Sequence, residues 1–143
     1  MTLQAHLFGG VNLEGRLANA SYLLLRGVTG LLLAFNHGLN KLPPSEKFIE
    51  GVGNMGFSMP HMFAWAASIS EFAGGLLLAL GLLTRPSSFL IFVTMSVAVF
   101  IRHASDPLSG SRELALVYAC LAVMFMGMGS GRFGIDAVLR RRA

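Results

Sequence analysis

The chain has 143 residues, of which 54% are hydrophobic and only 13% charged, with a formal net charge of +4. That balance excludes a soluble domain with a polar shell and leaves room for a single bundle of membrane spans. The lone cysteine, Cys120, excludes an intramolecular disulfide and a paired thiol redox centre. The basic tail Arg140–Arg142 has no interleaved aromatics, so it reads as a membrane-surface anchor rather than a nucleic-acid patch.

Taken in order, residues 1–17 form an N-terminal cytoplasmic or interfacial segment without the basic start and apolar run of a signal peptide, and are expected to be retained. Ala18–Phe35 is the first span. Arg26 falls in its middle, and helical spacing sets Arg26, Gly30, Leu33 and His37 along one face, which Lys41 joins only if the helix continues that far. The connection Asn36–Pro60 is rich in Pro and Gly. Within it Ser45–Val52 reads as a short amphipathic turn on the membrane, with Phe48, Ile49 and Val52 dipping in.

The second span, Met62–Leu83, has 22 residues, enough for a hydrocarbon layer roughly 30 Å thick at about 1.5 Å per residue. Trp65 marks its interface, Gly74, Gly75 and Gly81 thin one side for close packing, and Arg85-Pro86 ends it. Pro86–Ile101 is the third span, followed by a turn around Asp106-Pro107 and Gly110. Leu114–Met128 is the fourth, and Ile135–Arg142 reads as a surface tail helix. The expected fold is therefore all-α: a transmembrane four-helix bundle over residues 18–129 with a short interfacial segment between the first two spans, and a basic tail over residues 130–143. Four spans set both termini on one side. Six Lys or Arg on that side (Arg16, Arg85, Arg132, Arg140, Arg141, Arg142) against four opposite (Lys41, Lys47, Arg102, Arg112) favour cytoplasmic termini.

Glu71 lies near the middle of the second span, where an ionised carboxylate costs about 2.5–3.5 kcal/mol and needs a partner, a proton or water. Arg26 is at the same depth on the adjacent antiparallel span. The two are expected to pair, with Glu71 as a proton-exchanging or ligand-binding carboxylate and Arg26 setting its charge state. A second group gathers at the opposite mouth: His37, Lys41, Arg102, His103 and Glu113. His37, Lys41, His103 and Glu113 are candidates for contact with a polar headgroup. No His-x-x-x-His spacing supports a metal site, and GMGSGRFG lacks the strand and lysine of a phosphate loop.

Three segments together resemble the DoxX family of small membrane proteins: Arg26 with Gly30–Leu42 (GLLLAFNHGLNKL), Glu71–Ser88 (EFAGGLLLALGLLTRPSS) and Gly127–Asp136 (GMGSGRFGID). The positions that match by motif are Arg26, His37, Gly38, Lys41, Glu71, Gly81, Arg85 and Asp136. Gly134 stands where the last motif usually has serine. The resemblance implies a four-helix transmembrane bundle in a bacterial or archaeal inner membrane. It also implies a role like that of relatives serving as membrane subunits of quinone-linked oxidoreductases or of complexes concerned with oxidative stress.

The expectation is a membrane subunit of a redox complex that binds a quinone or lipid-like ligand between helices. It would carry no intrinsic redox cofactor, since the chain shows no haem pair, Fe–S cysteines or flavin motif, and electrons would come from a protein partner. The alternatives are a non-enzymatic anchor or assembly factor, alone or as a homo-oligomer, and a small-molecule transporter using the charged midplane.

Overall fold

The computed structural model describes residues 10, 11 and 13–142, so most of the N-terminal segment 1–17 lies outside the described residues. Helix α1 runs Arg16–Leu32 and continues through a π-helical turn, Leu33–Gly38, and a 3-10 turn, Leu39–Lys41. Next come α2 (Glu46–Asn54), α3 (Pro60–Leu80) and α4 (Thr84–Val97), which a π-turn extends through Ala98–Arg102. The last two helices are α5 (Ser111–Met128) and α6 (Ile135–Arg142). Four stretches are long and apolar enough to cross a membrane: Arg16–Lys41, Pro60–Leu80, Thr84–Arg102 and Ser111–Met128. The chain is a multi-pass helical membrane protein.

Along the bundle, α1 packs on α3, α3 on α4 and α4 on α5. The core between them is built from Leu33, Leu78, Ile91, Met95, Val99, Tyr118, Ala122 and Phe125. Leucines and phenylalanines such as Leu24, Leu31, Phe89 and Phe100 stay exposed on the outer faces, as expected where the surrounding solvent is hydrocarbon. The tightest crossing is α1 against α3. A Cβ at Gly30 would lie 2.5 Å from the Gly75 carbonyl oxygen, and one at Gly75 would lie 2.7 Å from that of Gly30. Gly30 and Ala34 on one helix, with Gly75 and Ala79 on the other, form the small-residue seam that lets two membrane helices meet backbone to backbone.

Three expectations change. The first span does not stop at Phe35; the π- and 3-10 turns carry it to Lys41. The short helix is present and N-capped by Ser45, whose Oγ accepts from the Phe48 amide at 3.3 Å. Its apolar face, however, does not dip into lipid. Ile49 and Val52 are buried against Ala64 of α3, with Phe48, Met55 and Phe57 around them, because a protein surface covers that face better than an interface can. Nor is α6 a loose surface helix: Asp136 and Ala137 are buried and dock it under the bundle.

Candidate functional site

The polar residues separate into two sites at opposite ends of the bundle. At the end carrying the termini, α3 stops at Gly81, whose left-handed φ of 69° suits a residue without a side chain. The Gly81 amide donates to the Leu78 carbonyl at 3.1 Å and the Leu82 amide to that of Leu77 at 3.0 Å, the paired bonds of a Schellman stop. Arg26 completes the helix end. Its Nη1 donates to the carbonyls of Leu78 and, at 2.8 Å, Ala79, placing a cation at the negative end of the α3 dipole. The guanidinium lies close against Gly81: a Cβ there would sit 2.7 Å from Arg26 Nη1.

The next helix is capped from a distance. Leu83 at the start of α4 has φ +49°, a costly conformation for a bulky residue, and no side chain of its own segment caps the helix. Asp136, 53 residues on, supplies the cap. Its Oδ1 accepts from the Leu83 amide at 2.8 Å; its Oδ2 accepts from the Thr84 amide at 3.0 Å and the Thr84 hydroxyl at 2.9 Å. Ser130 fills the space beside Gly134. A Cβ at Gly134 would lie 2.4 Å from that of Ser130, so glycine at 134 is matched to serine at 130.

At the opposite end the chemistry is side chain to side chain. Lys41 Nζ lies 2.7 Å from both Glu71 oxygens. The Glu71 side chain is 3% exposed and that of Lys41 35%, so the pair joins a buried carboxylate to a half-open lysine. Three local features build it. The π-turn adds a residue to the turn before Gly38, and Gly38 then meets α3 so closely that a Cβ would lie 2.4 Å from the Phe72 nitrogen. One turn later Lys41 reaches back to Glu71, while Ser68 Oγ donates to the Lys41 carbonyl at 3.0 Å. Phe48 of α2 covers the ammonium with its ring centroid 5.7 Å from Nζ. His37 stands edge-to-face on Tyr118 of α5 at 5.6 Å, and Tyr118 is within electrostatic reach of Glu71.

The expected Arg26–Glu71 pair is therefore not formed. Arg26 bonds near the C-terminus of α3, at Leu78 and Ala79, two turns beyond Glu71, and Glu71 takes Lys41 instead. Spacing along separate spans suggested equal depth, whereas Arg26 lies two turns nearer the C-terminus of α3, and spacing did not show which cation the π-turn would bring across. Of the other candidates, His103 Nδ1 lies 2.6 Å from Asp106 Oδ2 in the α4–α5 connection, and Glu113 is exposed at the start of α5. Neither has a bond to Lys41 or Glu71 among those of the described residues. Phe48, Thr84 and Ser130 were missed as partners. The one available signal was at α4, where no Ser, Asp or Asn precedes Thr84 in Gly81-Leu82-Leu83 to cap the helix locally.

The family model described as DoxX matches residues 21–104, more than half of the chain, covering both Arg26 and the Lys41–Glu71 pair. The chain belongs to the DoxX family. Among its DoxX-like relatives is "Putative oxidoreductase CatD" of Bacillus subtilis, 30% identical over 80% of this chain and 83% of that protein. An uncharacterised protein of Haemophilus influenzae is 36% identical over 49% of this chain, and the match spans 57% of that protein's length. No solved structure matches.

Proposed function

We propose that the protein is the integral-membrane subunit of a quinone-linked oxidoreductase, with the ligand's polar ring held at the Lys41–Glu71 pair. The observation that carries this reading is the half-open ion pair itself: a buried carboxylate holding a lysine whose side chain is still 35% exposed. An ammonium has three N–H donors and Glu71 engages it through two oxygens at 2.7 Å, which leaves donor capacity for a carbonyl oxygen. His37, half-buried on Tyr118, offers a ring nitrogen in addition to the ammonium. This donor set, beside Phe48, fits a quinone headgroup.

A bound quinone supplies a two-electron, two-proton acceptor. Lys41 would orient a ring carbonyl and pass it protons one at a time, regaining each from water on its own exposed side, and Glu71 would hold the lysine in place. The electrons come from a donor on a partner protein. Arg26 has no part in this chemistry; it holds the end of α3. The bilayer would be a bacterial inner membrane with cytoplasmic termini, supported by the six-to-four arginine and lysine count. The name of the Bacillus subtilis relative favours oxidoreductase chemistry as well.

Titration with decylubiquinone tests the reading. The lone tryptophan, Trp65, lies six residues before Glu71 on the same helix, so its fluorescence reports ligand arrival. Saturable quenching is expected, weakened about tenfold, the loss of one charge-assisted bond, in Glu71→Gln and Lys41→Met. Quenching that rises without saturation, or that both variants leave as in wild type, overturns the site.

One observation favours a second reading, an anchor or assembly factor: Lys41 and Glu71 can simply satisfy each other across α1 and α3. In that case the reversed pair Lys41→Glu with Glu71→Lys restores all function. In the quinone reading it restores folding but not binding, because the ammonium moves from the open position to the buried one.

A further inference from the structure

Helix α6 has two faces. One is docked: Asp136 and Ala137 are buried, and Arg140 Nη1 donates to the Gly10 carbonyl at 3.1 Å. The other is open and carries Ile135, Val138 and Arg141 at i, i+3, i+6 spacing, one stripe along a helix. Together with Arg132 and Phe133 of the preceding loop this stripe lines an open groove of about 460 Å³. Phe133 is 49% exposed and Val138 48%. An apolar floor with a guanidinium on the loop and another on the last helical turn is unusual on a surface that faces only water.

Its height in the molecule decides what covers it. The groove lies just past the ends of α3 and α5 and beside the start of α4, where spans of this length would leave the hydrocarbon layer for the headgroups. A third cation lies underneath: Gly81 separates the Arg26 guanidinium from the groove's Gly134 backbone, a Cβ at Gly81 being 2.7 Å from each. The nearby carboxylate, Asp136, is bound to the Leu83 and Thr84 amides.

We infer that this groove is a binding site for an anionic phospholipid. Arg132 and Arg141 hold the headgroup phosphate, which accepts well from planar guanidinium donors. Phe133, Ile135 and Val138 lie along the upper acyl chain. The site would select lipid by charge at the end of the bundle away from the Lys41–Glu71 pair, so it stands whether or not that pair binds a quinone.

The test uses the full chain in phosphatidylcholine nanodiscs containing a minority of phosphatidylglycerol, with retained lipid read by native mass spectrometry. Wild type should retain phosphatidylglycerol well above its share of the bilayer. Each arginine near an anionic surface is worth about fivefold, so Arg132→Gln with Arg141→Gln should lower that preference roughly twenty-fivefold. Lys47→Gln, which removes a charge at the other end of the bundle, should leave it unchanged. Val138→Asp provides a second probe without altering either arginine and should lower retention of both lipids. Retention at the bulk ratio in wild type, or an equal loss in Lys47→Gln, overturns the site. Displacement by inorganic phosphate alone would make it a soluble-anion site, and dimers abolished by the double variant would make it a contact between copies; either result replaces the lipid.

Discussion

The two ends of the bundle handle buried charge in opposite ways. Where the termini lie, Arg26 and Asp136 are both fully buried, and their bonds go mainly to backbone groups: carbonyls ending α3 and amides opening α4. At the other end, Lys41 and Glu71 bond to each other, and the lysine remains a third exposed. A charge committed to main chain cannot move without unravelling a helix end, whereas a charge paired with a mobile, half-open side chain can exchange protons or accept a ligand. The first arrangement is suited to holding the turn Gly81–Thr84, and the second to chemistry.

Gly81→Val should break the contrast most severely, since a side chain at φ 69° would strike both Arg26 and Gly134; no folded protein should be recovered by size exclusion in detergent. Asp136→Ala should come next. It removes a carboxylate that accepts three hydrogen bonds, costing about 3 kcal/mol in a thermal or denaturant melt, with ligand binding intact in what remains folded. Lys41→Met leaves Glu71 buried without its cation. Because Lys41 is 35% exposed, the cost should be about 1 kcal/mol rather than the 3–5 of a fully buried pair. Reversing that pair should recover most of the loss, while Arg26→Glu with Glu71→Arg should recover none. The smallest effect is Phe48→Ala, about 0.5 kcal/mol by loss of a partly exposed cation–π contact, readable as a modest drop in melting temperature.

Much of this was legible in the chain itself. Apolar length gave four spans, and Ile135–Arg142 emerged with the bounds expected of it. The glycines of α3 marked a close helix crossing, and Gly75 does meet Gly30 there. What periodicity could not give was the partner of Glu71. Counting within each span set Arg26 and Glu71 at one depth, but Arg26 lies at Leu78 and Ala79, two turns further along α3, and the π-turn at Leu33–Gly38 extends α1 and delivers Lys41 to the carboxylate. A helix that closes i→i+5 leaves no mark in a 3.6-residue pattern. The role of Asp136 was equally hidden, because its hydrogen bonds join residues more than fifty positions apart.

The division between a structural end and a chemical end is tested most directly by comparing Glu71→Gln with Asp136→Asn in one decylubiquinone titration, each paired with its melting curve. Glu71→Gln should melt close to wild type and bind about tenfold more weakly, and Asp136→Asn should melt several degrees lower and bind as wild type does. The reverse result, with binding lost through Asp136 and kept without the Glu71 charge, would contradict the assignment of the chemistry to the Lys41–Glu71 pair.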